Sequence, residues 1–262
     1  MITIINGGTQ GLGEAVARKL VGEGRSTGLV LAGRSADRGK ALADELTELG
    51  TPSVVVAADI GEQDAPAQVV QTCVERFGVV NVAALTTRAT LFDDTPEHAD
   101  RHLAVNVKGP YFLIQAAARV MIEASTAGSI VNVGSTSGHG GQPRLTAYSM
   151  SKGALAVMTK NLAYALMRHN IRVNQVNPGW METESEHHTQ MAHDGAPENW
   201  LELAAPTRPF GRLVQTWEVA NAIAFCLSPE SGLLTGNVID IDQTVQGAGE
   251  PPLPGSEETP QL

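Results

Sequence analysis

Tyr148 and Lys152 stand four residues apart in Tyr148-Ser149-Met150-Ser151-Lys152, inside a run that reads as helix. At that spacing the two side chains share one helix face, about a turn from each other. An ordinary tyrosine has a pKa of about 10 and exchanges protons poorly at neutral pH. A neighbouring ammonium favours the phenolate and lowers such a pKa by roughly 1–3 units. The pair is a candidate proton donor and acceptor. It needs a reactant, a carrier and elements that bring these together.

A carrier site is readable at the amino end, in Asn6-Gly7-Gly8-Thr9-Gln10-Gly11-Leu12-Gly13. Gly7, Gly11 and Gly13 let the backbone turn tightly and approach a pyrophosphate, with Thr9, Gln10 and Leu12 as the residues between them. The spacing is G-x-x-x-G-x-G, not the G-x-G-x-x-G of the general dinucleotide fingerprint. Its position between a strand and a helix gives it weight. The second strand runs into Arg34 and Ser35 with no acid before Asp37. A carboxylate there would bind a ribose 2′-hydroxyl and a basic residue a 2′-phosphate, so NADP is expected, with NAD possible. Asp59, followed by Ile60, closes the third strand where a carboxylate can meet the adenine amino group.

The elements that must hold these residues alternate from end to end. Short Val/Ile-rich runs at 2–5, 29–32, 54–57, 79–84, 129–133, 171–176 and 238–241 predict seven strands. Helical periodicity predicts helices at 12–22, 36–49, 65–77, 96–107, 109–123, 147–168 and 217–227. Continuous apolar strands separated by helices mean an α/β fold, a single Rossmann-type doubly wound parallel sheet with helices on both faces. No linker interrupts residues 1–246, so one domain is expected, with 247–262 as a loop or disordered tail. Residues 181–210 carry no strand, and so long an excursion predicts a substrate lid. Its His187, His188 and His193 match no metal-ligand arrangement, and no metal site is expected.

Composition narrows the function classes. The 262 residues are 42% hydrophobic and 18% charged, ample for a core. A net charge of −10 excludes nucleic acid or anionic membrane as a natural partner. Cys73 and Cys226 lie in apolar helical patterns and read as buried free thiols. With no basic leader and no long apolar run, the expected location is cytoplasmic.

Taken in order, these motifs resemble the classical short-chain dehydrogenase/reductase family over residues 1–245. The resemblance rests on the glycine loop, Asn106, Ser135, Tyr148-x-x-x-Lys152 and Asn177-Pro178-Gly179. It implies that Tyr148 is the general acid/base and that Ser135 orients the substrate oxygen. It implies that Lys152 lowers the Tyr148 pKa and holds the nicotinamide ribose, and that Asn106 holds a water linking Lys152 to solvent. Pro178, Gly179 and Thr183 match the segment that meets the carboxamide. Two departures are notable. Asn6 replaces the threonine that usually opens the loop, and is expected to bond neighbouring backbone. Asn81-Val82-Ala83-Ala84 replaces Asn-Asn-Ala-Gly, leaving Asn81 and Ala83 as cofactor contacts and removing a strand-bridging hydrogen bond. Strand four is also expected to be short, or its helix to end early.

The resemblance implies a small-molecule substrate and a homodimer or homotetramer through the helices at 109–123 and 147–168, which are apolar over more than one face. Specificity should come from loops at 86–90 and 138–146 and from the lid, which carry Arg88, His139, Gln142, Arg144, Trp180, Glu182, Glu184 and Trp200. Polar groups around aromatic rings suit a sugar or polyol. A 3-oxoacyl thioester reductase is the enzymatic alternative, and a non-catalytic nucleotide-sensing protein the alternative of another class.

Overall fold

The computed structural model describes residues 1–72 and 77–247. Seven parallel strands form one sheet: β1 (Ile2–Asn6), β2 (Gly28–Gly33), β3 (Ser53–Ala57), β4 (Phe77–Asn81), β5 (Gly128–Val133), β6 (Ile171–Pro178) and β7 (Val238–Ile241). Their order is β3-β2-β1-β4-β5-β6-β7. The chain therefore runs outward from β1 to one edge, returns, and runs outward to the other. That reversal opens a crevice at the carboxyl ends of β1 and β4, where such sheets take ligands.

Period-two alternation divides the core between the two faces. Ile5, Val80, Val131 and Val176 pack with helices α1 (Gly11–Gly22), α2 (Ala36–Glu48) and α9 (Thr216–Leu227). Ile4, Val79, Ile130 and Val173 pack with α3 (Ala65–Gln71), α5 (Gly109–Glu123) and α6 (Thr146–Leu166). Both layers are largely apolar, as the strand hydrophobicity requires.

Several boundaries differ from the sequence reading. β4 starts at Phe77, so the helix expected to reach that residue ends earlier; α3 stops at Gln71. Residues 82–84, expected in β4, leave the sheet because the amides of Val82 and Ala83 both turn onto the Asn6 carbonyl, at 2.8 and 2.9 Å. The helix expected at 96–107 is α4 (Pro96–Leu103) followed by a π-helical turn (Ala104–Lys108) that leads into α5. Residues 181–210 hold α7 (Glu184–Ala192) and α8 (Trp200–Ala204), with an isolated parallel bridge between Met181 and Val214. Cys226 is a buried free thiol. Cys73 and the tail from residue 248 lie outside the described residues.

Candidate functional site

The glycine loop is folded tightly on itself at the crevice. Gly7 has φ +85°, and a side chain there would put its Cβ 2.5 Å from the Ala83 amide nitrogen. At Gly13 a Cβ would lie 2.0 Å from the Gly7 carbonyl oxygen. The loop thus sits directly against the start of α1, whose N-terminal amides face the crevice. Thr9 and Leu12 are buried behind it. Gln10 precedes α1 and accepts a hydrogen bond from the Arg38 guanidinium at 2.8 Å. Arg34 is exposed and Ser35 half-buried beside it. Arg38, one turn into α2, is a second cation at this end that the sequence reading missed.

Asp59 is already engaged. Its carboxylate accepts from the Gly61 amide at 3.0 Å and from the Arg101 guanidinium. Arg101 comes from α4, and nothing in its sequence surroundings pairs it with position 59. Ile60 is buried in the core layer.

Asn81 does not stand alone at the end of β4. Asn6 donates to it at 3.3 Å, and Asn81 donates to Asn132 at 2.9 Å. Asn132 donates to Thr159 at 2.9 Å, and Thr159 to Gln175 at 3.1 Å. Gln175 donates to Asn177 at 2.7 Å and Asn177 to Asp240 at 2.9 Å, while His139 meets the other Asp240 oxygen at 2.9 Å. A buried polar ladder thus crosses the sheet from β1 to β7. It corrects two expectations. Asn6 turns its side chain to Asn81 rather than to backbone, and the strand-bridging bond assigned as lost with Val82 is made by Asn81.

Ser135 follows β5 and caps the 3₁₀ turn Thr136–His139, accepting from the Ser137 amide at 3.1 Å. Tyr148 sits in the first turn of α6 with its phenol turned to Ser135. Burial pushes its pKa up to about 12, against the Ser135 hydrogen bond, and the Glu186 charge adds to the rise. Lys152 lies one turn further, donates to the Val133 carbonyl at 2.7 Å and stands 5.7 Å from the Tyr148 ring centroid. Burial brings its pKa down to about 7. Burial is the leading cause of both shifts, and the Lys152 amine is not among the causes of the Tyr148 shift.

Asn106 occupies the π-helical turn. Its amide donates to the Leu85 carbonyl and to the Ser151 hydroxyl, both at 2.9 Å, and its oxygen accepts from the Leu85 amide at 2.8 Å. Ser151 in turn donates to the Tyr148 carbonyl at 2.6 Å. Asn106 thus ties the segment after β4 to the turn carrying Tyr148 and Lys152. Both its side-chain donors are spent, so a water it holds must donate to one of its oxygens, side-chain or backbone.

Ser135 and Tyr148 open on a cleft of about 790 Å³, shared with Gly179, Trp180, Thr183, Glu186, Arg88 and Arg208. β6 ends at Pro178, just before the cleft-lining Gly179, whose amide bonds the Ile241 carbonyl at 2.9 Å. Thr183 caps α7, accepting from the Glu186 amide at 3.0 Å. Trp180 and Trp200 stack at 5.8 Å, and the Trp200 indole donates to His187 at 2.8 Å. Among the described residues, no group of three or more His, Cys, Asp or Glu could hold a metal ion. Two acids expected at the substrate turn elsewhere: Glu182 accepts from Gln215 at 2.8 Å, and Glu184 lies 3.5 Å from Arg38. Glu186, which the sequence reading did not single out, lines the cleft together with Asp242. Thr183-x-x-Glu186 has capping-box spacing and marks the start of α7, but does not reveal where the carboxylate goes.

The family model described as enoyl-(acyl carrier protein) reductase matches residues 7–245. A 3-oxoacyl-(acyl-carrier-protein) reductase from Thermotoga maritima is 35% identical, over 92% of this chain and 96% of that one. A sorbitol dehydrogenase from Cereibacter sphaeroides is 29% identical, over 91% and 94%. A solved actinorhodin polyketide ketoreductase with NADPH superposes with a TM-score of 0.86 at 25% identity, covering 92% and 95%.

Proposed function

Since the chain belongs to the classical short-chain dehydrogenase/reductase family of NAD(P)-dependent oxidoreductases, we propose that it interconverts a secondary alcohol and a carbonyl in this cleft. The observation that carries the reading is the Ser135–Tyr148 hydroxyl pair at the cleft, with the Lys152 amine one turn behind it.

The amino half of the crevice fits a dinucleotide. Gly11 opens α1 with φ +55°, and beyond its own neighbours and helix backbone no atom lies within 4 Å of where its Cβ would stand. A helix N-terminus is the usual seat of a pyrophosphate. Gly7, Thr9, Gln10, Gly11, Leu12 and Gly13 would hold it, with Asp59, Ile60, Asn81 and Ala83 along the adenosine and Pro178, Gly179 and Thr183 at the nicotinamide end. Arg34 and Ser35, joined by Arg38, support NADP over NAD. When bound, the cofactor supplies or accepts the hydride.

The remaining steps belong to this chain. Tyr148, protonated at neutral pH, gives its proton to the carbonyl oxygen in reduction and takes one from the alcohol in the reverse direction. Ser135 orients that oxygen. Lys152 holds the cofactor ribose and, when charged, stabilises the phenolate left behind. Asn106 keeps their turn in place and offers its oxygen to a relay water.

A sugar or polyol is the favoured substrate, supported by the polar lining of the cleft and by likeness to a sorbitol dehydrogenase. The likeness to a 3-oxoacyl carrier-protein reductase supports an acyl thioester as the second reading. The lid helix α7 offers no Lys or Arg to an acidic carrier, which favours the first. A homodimer or homotetramer is supported by apolar side chains left exposed on α5 and α6, among them Tyr111, Phe112, Val157 and Tyr164. No helix among the described residues is long and apolar enough to cross a membrane. A cytoplasmic location is supported by the free thiol of Cys226.

The test is the change in reduced-nicotinamide absorbance, a loss with ketoses, acyl thioesters and simple ketones and a gain with polyols run in reverse, with both cofactors. Turnover with NADPH on a ketose above the others is expected. No turnover on any of them, or equal turnover by Tyr148→Phe, defeats the reading.

A further inference from the structure

Glu186 presents its two carboxylate oxygens very differently. One of them, Oε1, accepts from the Trp180 indole at 2.9 Å, from Gln190 at 2.7 Å and from the Arg88 guanidinium at 3.3 Å. Three donors from three segments fix the plane of the group. The other oxygen, Oε2, accepts from no donor among the described residues and is not buried, on a side chain that lines the cleft with Ser135 and Tyr148. Its negative charge is felt at the Tyr148 phenol, second to burial and the Ser135 hydrogen bond.

An ionised carboxylate only accepts, so whatever meets Oε2 must carry a hydroxyl or an N–H. The surrounding charges choose between them. Arg88 lies 3.3 Å from Glu186 and 3.0 Å from Asp194, and Arg144 lies 3.5 Å from Asp194. With Arg208 and Asp242, which line the cleft, three cations offset three anions, so the site offers no net negative charge to an ammonium. A neutral hydroxyl satisfies Oε2 without a counter-ion, whereas a carboxylate or a second carbonyl there would face it acceptor to acceptor.

We propose that Glu186 is a specificity-determining residue that accepts a hydrogen bond from a substrate hydroxyl beside the reacting carbon, so that the substrate class is the hydroxyketones and their polyols. This rests on the carbonyl–alcohol reading of the cleft. Glu186→Gln tests it sharply. The three donors keep holding the side-chain oxygen inward, so the amide nitrogen replaces Oε2 and the cleft-facing acceptor becomes a donor.

The experiment compares kcat/KM of the full chain with NADPH for acetoin, which carries a hydroxyl beside its carbonyl, and diacetyl, which carries a second carbonyl there. The ratio of the two is independent of the fraction of folded enzyme. Wild type is expected to prefer acetoin, and Glu186→Gln to shift the ratio at least about tenfold toward diacetyl, since a hydrogen bond to a charged group is worth roughly 1.5–3 kcal/mol and about 1.4 kcal/mol is tenfold. Glu186→Asp, which keeps an acceptor, is expected to retain the wild-type preference. A ratio unchanged within about threefold in Glu186→Gln, with both substrates turned over, overturns the inference and leaves the oxidoreductase reading standing. A wild type that reduces neither these ketones nor any carbonyl of the wider screen overturns both.

Discussion

Lys152→Met should stabilise the cofactor-free protein, and the gain should fade as pH rises. Lys152 is 2% exposed, and its amine has one acceptor among the described residues, the Val133 carbonyl, for an ammonium's three donors. Burial lowers its pKa from 10.5 to about 7. At about 1.4 kcal/mol per pH unit, that gap is worth about 5 kcal/mol of stability. The sign follows from where the proton sits. Below about pH 7 the lysine is charged folded and unfolded, and the folded state bears the whole desolvation penalty. Between about 7 and 10.5 only the unfolded chain is protonated, so unfolding takes up a proton and stability rises with pH. Above that window the penalty is gone. Removing the amine also forfeits one hydrogen bond, about 1 kcal/mol, so a net gain of about 3–4 kcal/mol is expected at pH ~6. By pH ~9 the advantage should have shrunk by about 3 kcal/mol. Urea unfolding of both proteins at the two pH values measures this directly. A variant less stable than wild type at the lower pH, or two parallel pH profiles, would refute the reasoning.

Other perturbations read other parts of the site. Gly134→Ala would place a Cβ 1.9 Å from Asn177 Oδ1 and 2.3 Å from Gln175 Nε2, breaking the polar ladder. Two buried amides left unpaired cost about 1–3 kcal/mol each, read as a lower Tm by differential scanning calorimetry; an unchanged Tm would mean the ladder yields freely. Tyr148→Phe should lower kcat by roughly a hundred- to ten-thousand-fold. NADPH fluorescence titration should meanwhile show near-normal binding, and lost binding would give the phenol a different role. Replacing Arg34 and Arg38 together by alanine should weaken NADPH about tenfold or more and leave NADH nearly unchanged; equal losses would remove the 2′-phosphate assignment.

Some of this architecture is legible in the chain because it is local. The glycine loop between β1 and α1, and Tyr148 and Lys152 one helical turn apart, are set by spacing alone. The seven strands follow from Val/Ile runs that no other element of this length would carry. What was illegible depends on contacts distant in sequence. Arg101 reaches Asp59 across 42 residues, and Glu186 meets Arg88 across 98. The π-helical turn at Asn106 adds one residue to a helix without altering its composition, so periodicity passes over it. β4 was displaced toward 79–84 because Val82, Ala83 and Ala84 are as apolar as a strand, while the Asn6 carbonyl that diverts them lies in another element. The opposed pKa directions of Tyr148 and Lys152 come from burial, which pair spacing does not encode.

The ladder from Asn6 to Asp240 has a consequence for assembly. Asn6, Asn81, Asn132 and Gln175 are mutual register partners on four adjacent parallel strands. Sliding any one strand by a single residue sends its amide to the opposite, apolar layer, where it would meet aliphatic side chains instead of another amide. The apolar residues on these strands are similar enough in size to pack in several alignments. The amides are not interchangeable in that way. They act as a key that only one alignment turns, so the carboxyl ends of the strands finish level, and the loops bearing Gly7, Ser135 and Gly179 start from fixed positions.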